Sequence, residues 1–187
     1  SKEIIVVSPD QYKDLARKLS HEISKVPGCN GAFWNIKQFE DNEFQLGGNR
    51  YAIFIGNSDE NSLTNDFLQV ITNISNQAGA CYGFDGTKAV IFGEGKLDQK
   101  EAFKDVLKKS VPIAAATSAF SSTIGAGIAA TSVVFLPSSS ILIAWPVLIF
   151  NYFLRRKMEQ KLRTEQTKAA LTLFLADHFD KWIGLEK

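Results

Sequence analysis

The first 109 residues alternate between short apolar runs and longer stretches whose apolar residues recur with helical spacing. Short apolar runs bounded by turn residues predict buried strands, here at positions 3–7, 31–39, 51–55, 80–84 and 87–92. The helical spacing predicts amphipathic helices at positions 9–26, 63–74 and 98–107. Helical crossovers between strands indicate a partly parallel sheet. The sequence therefore predicts an α/β domain with a small Rossmann-like mixed sheet.

The last two predicted strands are separated only by Asp85 and Gly86. This dipeptide is typical of a tight β-hairpin, because both residue types tolerate a positive φ. We expect the hairpin to lie antiparallel at one edge of the sheet.

From Ser110 to Leu154 the chain contains no Asp, Glu, Lys, Arg or His, although charged residues make up 22% of the sequence. A turn at positions 137–140 divides this uncharged segment into stretches at 111–136 and 141–154. A helix needs about 20 residues to span a membrane, and the second stretch reaches that length only with the residues beside it. We expect a hydrophobic helical hairpin, with a re-entrant loop or a soluble hairpin packed on the α/β domain as alternatives.

Basic residues stand on both sides of the uncharged segment: Lys108 and Lys109 before it, and Arg155, Arg156 and Lys157 after it. Flanking positive charge is expected where both ends of a hairpin stay in the cytosol, and Trp145 is an aromatic anchor of the type found at bilayer interfaces. We therefore expect a membrane-associated chain with both termini cytosolic. No signal peptide is expected, because the apolar run at positions 3–7 is too short.

Small residues recur at every fourth position in the first uncharged stretch, as in Ser121, Gly125 and Ala129, and Gly127 belongs to a parallel row. Such rows let helix backbones approach closely in lipid, so we expect these residues to pack helices together. A homo-oligomer is the expected result, and a protein partner is a further possibility.

After position 154 a long C-terminal helix is predicted, basic in its first half and amphipathic in its second. The domain organisation is therefore a cytosolic α/β domain at 1–109, a hydrophobic hairpin at 110–154 and a C-terminal helix at 155–187. The first of these regions contains 13 Lys and Arg against 15 Asp and Glu, and the last contains 8 against 5. No basic stripe with interleaved aromatic residues is present, so nucleic-acid binding is not expected.

Few residues point to catalysis or metal binding. Cys29 and Cys81 are too few for a disulfide framework, and His178 has no second metal ligand at helical spacing. The run Gly93-Glu94-Gly95-Lys96 resembles the end of a phosphate loop but lacks its first glycine and the Ser or Thr that binds magnesium. We expect no metal and no resident cofactor.

A ligand site follows from the predicted topology. Ligands of open α/β sheets bind beyond the carboxyl ends of the parallel strands, where helix N-termini favour anions. The predicted strand ends carry Ser8, Gly56, Asn57, Ser58, Gly93 and Gly95. We expect these residues to form the site for a nucleotide-like ligand, the alternative being ordinary strand-to-helix turns.

Together these features favour a membrane-associated sensor or effector, in which the α/β domain receives a nucleotide-like or protein signal and the hairpin oligomerises in the membrane or perturbs it. One alternative is a tethered enzyme that processes a nucleotide or NAD with Glu60 or Glu94 as its carboxylate. Another is a soluble protein whose buried hairpin inserts conditionally, as in toxins and pore-formers. Because no catalytic signature is present, the non-enzymatic hypothesis leads.

Overall fold

A computed structural model describes residues 1–42, 45–116 and 145–185. The strands are β1 (Lys2–Val7), β2 (Cys29–Trp34), β3 (Arg50–Ile55), β4 (Ile74–Gln77), β5 (Ala80–Asp85) and β6 (Lys88–Gly93). The helices are α1 (Lys13–Ser24), α2 (Ile36–Asp41), α3 (Ser62–Leu68), α4 (Lys100–Ala116), α5 (Trp145–Phe174) and α6 (Asp180–Trp182). A π-helical turn (Leu175–Phe179) joins α5 to α6.

The strands form one six-stranded sheet in the order β2-β1-β3-β6-β5-β4. β1 pairs in parallel with β2 and with β3, and β3 pairs in parallel with β6. β5 runs antiparallel to both of its neighbours, β4 and β6. The predicted α/β fold with a mixed sheet and a long C-terminal helix is therefore confirmed.

Helices cover both faces of the sheet because side chains of successive strand residues point to opposite sides. Ile4, Val6 and Ile53 are buried on the face that packs against α1, α4 and α5. Ile5 and Phe54 are buried on the other face, against α2 and α3. The central strands are therefore apolar on both sides, which explains their continuous apolar runs.

The C-terminal half of α5 belongs to the core. Leu162, Leu171 and Phe174 are fully buried, and this part of the helix lies across β5 and β6. Gly93 permits the close approach, since a Cβ at that position would lie 2.3 Å from the carbonyl oxygen of Arg163. A helix distant in sequence thus completes one face of the α/β domain.

The predicted second strand is too long. β2 ends at Trp34, and residues 36–39, which we expected to be extended, begin helix α2. Asn35 accepts a hydrogen bond from the backbone N of Gln38 at 2.7 Å, and the Gln38 side chain accepts one from the backbone N of Asn35 at 2.8 Å. This capping box starts the helix although the aromatic residues around it favour a strand.

The predicted helix at 63–74 is also too long, because α3 ends at Leu68 and Ile74 begins strand β4. The β5–β6 hairpin forms as expected, with Gly86 at φ +57°. It does not lie at the edge, because β4 pairs outside β5 through a turn at Ala78 and Gly79. The edge position predicted for this hairpin is therefore wrong by one strand.

Two described helices enter the uncharged segment, since α4 continues to Ala116 and α5 begins at Trp145. The boundary we predicted at positions 154 and 155 falls inside α5. The packing residues Ser121, Gly125, Gly127 and Ala129 lie outside the described residues, as does the turn of the predicted hairpin. Within the described ranges, no helix combines the length and apolar character needed to cross a membrane.

Candidate functional site

Glu60 lies at the carboxyl ends of β1 and β3, with its side chain only 7% exposed, and we call the cluster of polar groups around this side chain the crevice. The Tyr12 hydroxyl donates a hydrogen bond to its Oε2 at 2.9 Å, and the backbone N of Asn57 donates to its Oε1 at 3.0 Å. The Gln11 amide also donates to this carboxylate, and Nη1 of Arg163 lies 3.8 Å from Oε2. Side chains from α5 and from the start of the chain therefore meet at one carboxylate.

Local turn chemistry places Glu60 in the crevice. The Asn57 side chain accepts hydrogen bonds from the backbone N of Asp59 and of Glu60, both at 3.0 Å, which closes the turn after β3. Gly56 precedes this turn at φ +111°, a backbone conformation that residues other than glycine rarely adopt. Asn61 then caps α3 by accepting from the backbone N of Leu63.

In the sheet, β1 lies between β2 and β3. From β1 the chain crosses to β2 on one side, whereas from β3 it continues to the strands on the opposite side. The crevice lies at this switch point, between the carboxyl ends of β1 and β3. Its donors are a hydroxyl, an amide, a backbone N–H and a guanidinium. Donors of these types form hydrogen bonds with carboxylates and with phosphates. In the structure the bound anion is the protein's own Glu60 carboxylate.

Burial and the neighbouring Glu60 carboxylate raise the pKa of Tyr12 to about 12. Tyr12 therefore stays protonated at neutral pH and acts as a hydrogen-bond donor. An arrangement with a protonated phenol and a charged guanidinium around one carboxylate is suited to holding an anion.

The expected ligand residues share one edge of the sheet, and the Asn57 side-chain amide donates a hydrogen bond to the carbonyl oxygen of Gly93 at 3.5 Å. Ser8 and Gly56 are buried beside the crevice, Asn57 forms its turn and Ser58 is exposed on the same turn. Gly93 and Gly95 lie under α5, where the backbone N of Gly95 donates to the Gln166 side chain at 2.7 Å. The close approach at these two glycines is to a helix of the same chain.

Glu94 forms a second polar cluster, under α5. Its Oε1 accepts hydrogen bonds from the side chains of Asn76 and Gln99, both at 2.8 Å, and its Oε2 lies 3.1 Å from the Lys96 ammonium. Burial alone would raise the pKa of Glu94, but these hydrogen bonds and the Lys96 charge outweigh it and lower the pKa. Glu94 is thus an ionised carboxylate that ties the β6 loop to the β4–β5 turn.

Sequence reasoning missed Tyr12 and Arg163 as members of the crevice. Tyr12 fits the apolar stripe of the first helix, and Arg163 fits the basic half of the last one. The packing of α5 on the sheet brings Arg163 to Glu60. Tyr12 reaches the same carboxylate because it follows β1, the strand that pairs with β3. No local signal in the sequence marks the pair.

Cys29 and Cys81 are free, as expected, and burial raises the pKa of both thiols, that of Cys81 to about 12. His178 is half-buried and packs against the rings of Tyr82 and Phe84, with its Nε2 3.1 Å from the Tyr82 hydroxyl. Across the described residues, no group of three or more His, Cys, Asp or Glu side chains is arranged to hold a metal ion.

A second candidate surface lies at the start of α5. Ile149, Phe150, Tyr152 and Phe153, which we call the apolar turn, are 56%, 58%, 56% and 59% exposed. The next residues form the exposed basic band of Arg155, Arg156 and Lys157, and the Arg156 guanidinium lies 5.5 Å from the centre of the Tyr152 ring. Lys108 and Lys109, near the end of α4, are exposed as well, and Trp145 is the first residue of α5.

The described parts define a class of architecture, an α/β sheet domain whose last long helix has an exposed apolar turn near its beginning and packs on the sheet in its second half. No protein-family model, no curated protein and no solved structure matches this chain.

Proposed function

We propose that this protein is a membrane-associated sensor or effector. In this proposal the uncharged segment at 110–154 enters or perturbs a lipid membrane, and the α/β domain receives a signal in the crevice around Glu60. The observation that carries the proposal is the apolar turn directly beside the basic band on α5.

The apolar turn has the shape expected of a helix that enters lipid. At 3.6 residues per turn, positions 149, 150, 152 and 153 cover a continuous arc of about 160°. Burying a large apolar side chain stabilises by roughly 1.5–3 kcal/mol, so leaving four of them in water is costly. A bilayer covers such a broad arc without requiring a matching protein surface.

The basic band supports the same interpretation. Lys and Arg close to an anionic bilayer contribute about 1 kcal/mol each. Aromatic residues followed by basic residues reproduce the order of groups from the acyl region outwards to the headgroups. The apolar turn would therefore lie at the level of the upper acyl chains and the basic band at the headgroups.

Helix α5 connects the proposed membrane region to the crevice. It has 30 residues, which corresponds to about 45 Å, and it is continuous from Trp145 to Phe174. Arg163 on this helix contacts Glu60, and its Nε is buried without a hydrogen-bond partner. An anionic, nucleotide-like ligand or an acidic protein segment that competes for Arg163 would therefore act directly on the helix that leads to the membrane.

Two finer features belong to the proposal. The strand order, with β1 between β2 and β3, supports a Rossmann-like topology with its ligand site at the crevice. The small-residue rows that include Gly125 and Gly127 support association of hydrophobic hairpins into a homo-oligomer.

Vesicle flotation tests the proposal. We expect the full chain to float with vesicles of phosphatidylcholine and phosphatidylglycerol and to release an entrapped dye from them. The double variant Phe150→Glu/Phe153→Glu is expected to lose both properties. A control is Val70→Glu, which adds one carboxylate, against two in the double variant, at an apolar residue that is 68% exposed on the α/β domain.

The outcomes separate the hypotheses. A full chain that neither floats nor releases dye would contradict the membrane proposal. A chain that is monodisperse without detergent and stays away from vesicles would favour the buried-hairpin alternative. Equal loss of flotation in Val70→Glu would show that the apolar turn has no special part in binding.

A further inference from the structure

A groove of about 400 Å³ lies where the start of α4 meets the middle of α5. Its apolar lining consists of Leu97, Leu154, Met158 and Leu162, which are buried or half-buried. This volume is within the range of about 300–1,000 Å³ that is typical of small-molecule sites. The groove is thus large enough for part of a lipid.

Three lysines also line the groove: Lys100 from α4, and Lys157 and Lys161 from α5. Lys157 and Lys161 are four positions apart, so they share one face of the helix. No Asp or Glu contributes to the lining. The combination of an apolar slot with three ammonium groups is complementary to a molecule that has both an acyl chain and a negative charge.

The position of the groove favours a lipid. Leu154 follows the apolar turn directly, and Lys157 belongs to both the groove and the basic band. Met158 is five residues from Phe153, which is about 7.5 Å along the helix axis. If the apolar turn enters a bilayer, the groove therefore opens at the level of the headgroups.

We propose that this groove binds one anionic phospholipid, with the phosphate near Lys100, Lys157 and Lys161 and the upper part of an acyl chain against Leu154 and Met158. This inference rests on the proposed membrane function and adds to it a defined lipid site. A bound lipid would join α4 to α5 at the base of the uncharged segment.

Native mass spectrometry of the full chain, released from a non-ionic detergent, tests the site. The chain is supplied with either dioleoylphosphatidylglycerol or dioleoylphosphatidylcholine. We expect one phosphatidylglycerol to be retained per chain and little phosphatidylcholine. The variant Lys100→Ala/Lys157→Ala is expected to weaken retention roughly 30-fold, as two basic contacts imply.

Two further variants keep the test specific. Met158→Glu places a carboxylate in the apolar slot and is expected to abolish retention while the fold is kept, since Met158 is only half-buried. The control Lys18→Ala/Lys181→Ala removes two exposed lysines elsewhere, with the same change in net charge, and should retain the lipid. Equal retention of both lipids, or unchanged retention in the groove variants, would overturn the proposal.

Flotation of the same proteins distinguishes the two proposals. A wild-type chain that floats but retains no phosphatidylglycerol refutes the groove site and leaves the membrane proposal standing. A chain that retains phosphatidylglycerol through the groove lysines but does not float supports the site and contradicts the membrane proposal.

Discussion

The two halves of helix α5 share one continuous backbone but lie in different surroundings. From Leu162 to Phe174 the apolar side chains are buried against the sheet, whereas Phe150 and Phe153 are exposed. Burial in the core accounts for the apolar residues of the second half. Among the described residues, the sheet does not cover the apolar side chains of the first half, and this difference is the basis of the membrane proposal.

The largest expected effect is on the buried half. Phe174→Ala should lower the free energy of unfolding by about 3–5 kcal/mol, because Phe174 is fully buried and contacts the rings of Tyr82, Phe84 and Trp182. Phe150→Ala should change it by less than about 0.5 kcal/mol, since exposed positions contribute little. Urea unfolding of the detergent-solubilised chain measures the free energy of unfolding of both variants. Equal decreases in the two variants would show that the two halves of α5 do not differ in their contribution to stability.

A second prediction concerns the link between α5 and the crevice. Glu60→Gln should lower the free energy of unfolding by about 1–3 kcal/mol, because Arg163 and Tyr12 lose a buried anionic acceptor. Removing the negative charge should also lower the pKa of Tyr12 from about 12 towards its ordinary value of 10.0. Ultraviolet absorbance of tyrosinate during a pH titration measures this shift.

The matched control for that variant is Glu101→Gln, which removes a carboxylate whose side chain is 82% exposed and which pairs with Lys104 on the surface. Its effect on stability should stay within about 0.5 kcal/mol. An unchanged tyrosine titration in Glu60→Gln would show that Glu60 does not act on Tyr12.

The third prediction is a loss of stability at alkaline pH. The folded-state pKa of Tyr12 lies above the ordinary value of 10.0, so the folded state keeps its proton where the unfolded state loses it. Stability from this group is present below pH 10 and falls as the pH rises from about 10 to 12. In Tyr12→Phe the decline over this interval should be shallower, as measured by urea unfolding at several pH values. A decline of unchanged slope would contradict the raised pKa.

The smallest effect on stability is expected in the basic band. Arg155→Gln breaks a surface ion pair with Glu159 at 3.3 Å and should change the free energy of unfolding by less than about 0.5 kcal/mol. The same substitution should weaken binding to anionic vesicles by about 1 kcal/mol and leave binding to neutral vesicles unchanged. Equal weakening on both vesicle types would exclude an electrostatic role for Arg155.

The sequence predicts the central strands well because burial on both faces leaves a clear signal. Ile4 and Val6 face one layer of helices while Ile5 and Val7 face the other, so the whole run is apolar. Helix α2 could not be found in this way, because Phe39 and its neighbours read as a strand and the capping box at Asn35 decides the conformation.

The crevice was only partly predictable, for a different reason. The turn residues Gly56 and Asn57 could be placed at a strand end, because strand ends of a parallel sheet share an edge. The contact of Arg163 with Glu60 depends on how α5 crosses the sheet, which no local pattern encodes. The sequence shows the apolar stretch at 141–154 and the basic residues that follow it. It does not show that they are exposed on a helix whose second half is packed on the sheet.

Hydrogen–deuterium exchange of the full chain, with and without vesicles of phosphatidylcholine and phosphatidylglycerol, tests the central claim most directly. We expect amide exchange to slow in the peptide covering 149–157 when vesicles are added, while exchange at 162–174 is unchanged because that half is already buried. Unchanged exchange at 149–157 in the presence of vesicles would contradict it.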